Sequence, residues 1–230
     1  MLVSALVVAS MGVAQAPRPG GRIDSEEGVL QILALGDSYT IGEGVALAER
    51  WPSQLAAALR AGGLAVAEPR IIARTGWTTD ELAQAIAAAS VPAEHDLVSL
   101  LVGVNDQYRQ RPVSEYPERF RPLLRQAIGF AGGRPERVLV LSIPDWGVTP
   151  FASGRDGAGI AAEIDAYNAV NRAETEAAGA RWVDVTAVSR EAAADRSLLA
   201  AVGLHPAAAM YARWVALVLP QALAALAPSR

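Results

Sequence analysis

The sequence predicts an α/β fold in which a parallel sheet lies between two layers of helices. Short apolar, β-favouring runs alternate with longer alanine-rich helical patterns, the mark of repeated βα units. The run Leu97-Val98-Ser99-Leu100-Leu101-Val102 is almost continuously apolar, as a strand covered on both faces must be. With 230 residues, 52% of them hydrophobic, the chain is long enough for one full core, and a single domain is expected.

Taken in order, residues 1–16 read as a signal peptide. An apolar run from Leu2 is followed by Ala14-Gln15-Ala16, a small-x-small cleavage pattern, and then by Pro17-Arg18-Pro19-Gly20-Gly21. This predicts a secreted or periplasmic protein. No basic residue precedes the apolar run, so a cytoplasmic chain with an N-terminal helix, or a start further upstream, is the alternative. Residues 17–28 form a linker, and the domain occupies 29–230. Its strands are placed at Val29–Leu35, Arg70–Ala73, Leu97–Gly103, Val138–Ile143 and Trp182–Val185. Helices are expected over Trp51–Ala61, Thr79–Ala89, Tyr116–Phe130, Ile160–Ala178 and Ala207–Leu226. Pro52 suits a first helical turn, Gly62-Gly63 an exit, and Thr78-Thr79-Asp80 offers capping oxygens. The last helix is very apolar, but Arg213, Gln221 and Pro220 point to packing on the sheet and not to a stable membrane span. The segments Ala131–Pro135 and Pro150–Gly159 read as loops, the second placed to overhang a site.

Composition narrows the function classes. A formal net charge of −4 gives no electrostatic case for nucleic acid. The absence of cysteine removes disulfides, thiolate nucleophiles and thiolate metal sites. Two histidines, His95 and His205, are too few for a histidine-rich metal site. No glycine-rich phosphate loop is present, and nothing fixes the oligomeric state.

The chemistry collects at strand ends. The first strand runs into Gly36-Asp37-Ser38-Tyr39-Thr40, delivering a serine hydroxyl to the carboxyl edge of the sheet, where ligands gather in open α/β folds. The second ends in Arg74-Thr75-Gly76-Trp77 and the third in Gly103-Val104-Asn105-Asp106. Gly203-Leu204-His205-Pro206 stands just before the last helix. Taken singly, each block has an ordinary reading: a helix cap for Ser38 or Asn105, a tight turn for Gly76, a helix entrance for His205.

This ordered set of four blocks resembles the SGNH hydrolases, also called the GDSL esterase/lipase family, and the resemblance runs from about Leu30 to the final helix. It implies a three-layer α/β/α sandwich, flavodoxin-like, with a parallel five-stranded sheet. It implies hydrolysis of carboxylic esters through an acyl-serine intermediate, with no cofactor. Ser38 would be the nucleophile and His205 the base. The backbone N–H groups of Ser38 and Gly76 and the Asn105 side-chain amide would form the oxyanion hole. His95, just before the third strand, belongs at the opposite edge and reads as a solvated loop residue.

One position departs from the family. Its pattern carries an aspartate three residues before the histidine, where this chain has Val202. A backbone carbonyl could orient His205 in a Ser-His dyad. Another carboxylate, Asp184 or Asp195, could substitute. Or the chain is an impaired hydrolase, by natural or engineered change, with turnover reduced on the order of 10⁴. Two rival functions follow: an acyltransferase on the same site, and a pseudo-hydrolase that binds acyl or carbohydrate ligands. Small-molecule, lipid or carbohydrate esters are all open as substrates. Tyr39, Trp77, Tyr108 and Trp146 are candidates to line the pocket, with ordinary packing the alternative. Arg109 and Arg111 read as solvated surface, with approach to an anionic head group the alternative.

Overall fold

The computed structural model describes residues 28–92 and 94–227. The expected signal segment and nearly all of the linker lie outside them. Five strands, β1 (Ile32–Gly36), β2 (Arg70–Ala73), β3 (Leu97–Leu101), β4 (Val138–Leu141) and β5 (Arg181–Val183), form one sheet in the order β2-β1-β3-β4-β5. Every pairing is parallel. Every residue of β1, β3 and β4 is buried, which is why these strands read as near-continuous apolar runs. The fold expected from the sequence is therefore the fold present.

The helices are α1 (Ser38–Ile41), α2 (Trp51–Ala61), α3 (Thr79–Ala88), α4 (Val104–Tyr108), α5 (Tyr116–Phe130), α6 (Gly157–Ala177), α7 (Thr186–Arg190) and α8 (Ala208–Leu226). On one side of the sheet α2 packs against α8; on the other α3, α5 and α6 pack in a row. Helix α8 is long and apolar enough to cross a membrane. Its Met210, Tyr211, Trp214, Val218 and Ala222 are instead buried against the domain.

The strand order places a topological switch between β1 and β3, because the chain leaves β1 for one neighbour and returns on its other side. The crevice beyond the carboxyl ends of such strands is the usual ligand site. Three short helices, α1, α4 and α7, begin at or just beyond strand ends and were not expected from the sequence. Runs of four or five residues are too short to carry a helical period.

Element limits differ in detail. β1 begins at Ile32 and not Val29, because Leu30 bridges separately to Val66 and the Gln31 N–H donates to the Asp96 carboxylate (2.8 Å). Helix α6 starts at Gly157, three residues earlier than expected, because Asp156 caps it by accepting from the Gly159 N–H (2.9 Å). The capping oxygens before α3 are used: Thr78 and Glu81 bond reciprocally across the first turn. His95 departs from the expected solvated loop position. It is buried, not solvated, since its segment folds beneath the end of α5 and its N–H donates to the Phe130 carbonyl (2.7 Å).

Candidate active site

The turn that carries Ser38 is fixed by two neighbours in sequence. A Cβ on Gly36 would lie 2.2 Å from Thr40 Oγ1 and 2.5 Å from the Leu101 carbonyl oxygen, so only glycine lets β1 turn into α1 beside β3. Asp37 then caps α1, its Oδ1 accepting from the Tyr39 N–H (3.0 Å). Ser38 is the first residue of that helix and is nearly buried. Gly42, in the left-handed conformation, ends the helix after one turn.

Asp37 is completely buried and its Oδ2 has no hydrogen-bond partner among the described residues. Burial pushes its carboxyl up from an ordinary 3.8 to about 8, with the Tyr39 N–H opposing and nearby Asp106 assisting. Between those two values the unfolded chain has released a proton that the folded chain retains, so stability falls as pH climbs from about 4 to about 8. Asp37→Asn keeps the cap but has no charge to desolvate. We expect it to raise Tm at pH 8 and to change it little at pH 4, measured by thermal melts at both.

The second and third blocks converge on the same edge. Gly76 has φ +84°, and nothing stands within 4 Å of where a Cβ would be, so backbone conformation and not crowding requires glycine. Its carbonyl accepts from Arg109 (2.7 Å), which also pairs with Glu81 (3.1 Å). Asn105 lies in the first turn of α4, and its amide donates one N–H to the Trp77 carbonyl (2.9 Å), leaving the second. The neighbouring Asp106 is buried and accepts from the Thr79 N–H and hydroxyl (both 2.9 Å) and from Arg111 (2.9 Å). That carboxylate ties α4 to the start of α3 and so sets the height of Asn105. Arg109 is exposed, as expected, although its guanidinium bridges Gly76 and Glu81; Arg111 departs from the expectation and is half-buried, because it pairs with Asp80 and the buried Asp106. The N–H groups of Ser38 and Gly76 donate to no other group among the described residues.

His205 is buried, and its ring meets Tyr39 edge to face at 5.5 Å between centroids. Its segment is anchored on both sides: the Ala200 N–H donates to the His205 carbonyl (2.8 Å) and the Ala207 N–H to that of Leu198 (2.7 Å). Burial pulls the imidazole below its ordinary pKa, and the Glu43 carboxylate opposes the shift. Glu43 Oε2 stands 3.9 Å from Nε2. Nδ1 is buried and has no partner among the described residues, neither a carboxylate nor a backbone carbonyl. Val202 is 69% exposed. Asp184 accepts from Ser142 and from the Thr186 N–H, and Asp195 from Ser197, so both substitutes weighed from the sequence are committed elsewhere.

These pieces surround one cavity of about 160 Å³. Ser38, Gly76, Asn105 and His205 all line it, arriving from four separated stretches of chain. Its apolar wall is formed by Val104, Tyr108, Trp146, Phe151 and Leu204. Of the four aromatic candidates, Tyr39, Tyr108 and Trp146 line the cavity, whereas Trp77 contributes its carbonyl to Asn105. Neither Phe151 in this wall nor Glu43 beside His205 was expected from the sequence. Phe151 sits in the loop expected to overhang the site; Glu43 carried no signal beyond its nearness to Ser38 in sequence. Among the described residues no cluster of histidine and carboxylate side chains is gathered to hold a metal.

A nearly buried hydroxyl, an imidazole and a side-chain amide thus meet around one small cavity at the carboxyl edge of the sheet. The chain matches the model of the GDSL-like lipase/acylhydrolase family over residues 34–213, and it belongs to that family. A search of curated proteins finds no match. Among solved structures, the lipase/acylhydrolase from Enterococcus faecalis is similar at 21% identity and TM-score 0.68, over 87% of this chain and 99% of that one. TesA is similar at 22% identity and TM-score 0.64, over 85% and 99%. The acetylxylan esterase Axe2 from Geobacillus stearothermophilus follows at 18% and 0.64, over 87% and 95%. At these identities the likeness establishes the shared fold.

Proposed function

We propose that this protein hydrolyses carboxylic esters of short acyl chains, with Ser38 as nucleophile. The observation that carries the reading is the convergence of Ser38, His205, Gly76 and Asn105 on one cavity. Ser38 Oγ attacks the ester carbonyl while His205 takes its proton. The carbonyl electron pair moves to oxygen, facing the Ser38 and Gly76 N–H groups and the free N–H of Asn105. Collapse expels the alkoxide, which takes the proton from His205. Water, deprotonated by the same imidazole, then releases the acid.

The cavity limits the acyl group. A void of about 150 Å³ holds one benzene-sized molecule, so the volume here suits an acyl chain of about six heavy atoms. Its aromatic wall packs on itself: Tyr108 and Trp146 meet edge to face at 5.4 Å, as do Trp146 and Phe151 at 5.9 Å. The Arg155 guanidinium lies 5.3–5.5 Å from all three rings. With p-nitrophenyl esters, kcat/KM is expected to be highest from acetyl to hexanoyl and to fall at least about tenfold by decanoyl, roughly 1.4 kcal/mol in the barrier. A rate that climbs steadily to decanoyl would contradict the assignment of the pocket.

A further inference from the structure

We propose that Glu43 is the carboxylate that steadies the His205 imidazolium in this chain, from the Nε2 side of the ring instead of through Nδ1. The inference rests on the functional reading above, in which His205 takes the Ser38 proton. No other carboxylate oxygen lies within 4 Å of a His205 ring nitrogen among the described residues, and Glu43 Oε2 stands 3.9 Å from Nε2. The backbone of α1 places it: the Glu43 N–H donates to the Ser38 carbonyl (3.1 Å), one turn beyond the nucleophile. The Thr75 hydroxyl holds the same Oε2, linking it to the loop that carries Gly76. On the other side of the ring Nδ1 has no partner, and Val202 supplies no acceptor side chain.

During attack the Ser38 O–H bond breaks, Nε2–H forms, and the Oγ–acyl bond forms as the carbonyl pair moves to oxygen. Glu43 takes no proton. It supplies negative charge beside the N–H that has just formed, then loses that benefit when the proton passes to the leaving alkoxide. Glu43 is a positioning residue by this account. The other titratable group facing the ring, Tyr39, is kept neutral because burial pushes its phenol far above the working range.

The chain has only two histidines, so an NMR titration resolves both imidazoles. In Glu43→Gln the His205 pKa is expected to fall by about half a unit to one unit, while His95 titrates unchanged. With p-nitrophenyl acetate, kcat should drop about tenfold with KM little altered. The acid limb of kcat/KM should move to lower pH, since the variant imidazole stays unprotonated further down. A merely structural role would leave both the titration and the limb in place. Equal His205 pKa values in the two proteins, or an unchanged kcat, would overturn the proposal. Should the variant not fold, added salt in the parent protein screens the half-exposed carboxylate and should lower the His205 pKa. A salt-independent value would overturn the proposal equally. If the parent protein hydrolyses no ester, the functional reading falls, while the titration still reads Glu43.

Discussion

Ser38→Ala is expected to lower kcat on p-nitrophenyl acetate by up to about 10⁶, as loss of the nucleophile does in serine hydrolases, or about 8 kcal/mol in the barrier. The effect should fall on kcat, because removing one hydroxyl leaves the cavity wall intact. The Ser38 hydroxyl makes no hydrogen bond to another described residue, and α1 is held by the Asp37 cap and by Gly42. Tm should therefore change little, separating loss of chemistry from loss of fold. Ser38 and His205 act as one unit in this mechanism, so adding His205→Ala to Ser38→Ala should cost almost nothing further. Retained turnover in purified Ser38→Ala would remove this residue from the reaction.

Asn105→Ala is expected to lower kcat by about 10²–10³, the usual cost of one side-chain donor to an oxyanion, or about 3–4 kcal/mol. Its amide also bonds to the Trp77 carbonyl, so truncation carries a stability cost of about 1 kcal/mol as well. The two losses are read separately, one in kcat and the other in Tm. A change confined to KM would place Asn105 in substrate binding and not at the transition state.

Most of this fold was legible because its signals are long or local. Leu97–Leu101 and Val138–Leu141 are buried on both faces and read as unbroken apolar runs. Thr78 and Glu81 write the start of α3 into four consecutive residues. The four site blocks were legible because each sits at a strand end or helix entrance, where the α/β topology gathers side chains.

What stayed hidden depends on contacts distant in sequence. Helices α1, α4 and α7 exist because strands stop and tertiary contacts close a single turn, as Asp106 does by reaching Thr79. His95 looked like a loop residue because its burial comes from α5, which lies beyond it in the chain. The approach of Glu43 to His205 spans most of the domain, and no local pattern encodes it. Val202 showed what the site lacks, but only the fold could show which carboxylate stands nearest.

The most direct test is to treat the protein with a fluorophosphonate and map the adduct by mass spectrometry, following ester hydrolysis in the same sample. The account predicts one phosphonyl group on the peptide containing Ser38, loss of turnover in step with labelling, and no adduct in Ser38→Ala. Hydrolysis that persists after complete labelling of Ser38, or an adduct on another serine that abolishes turnover, would contradict it.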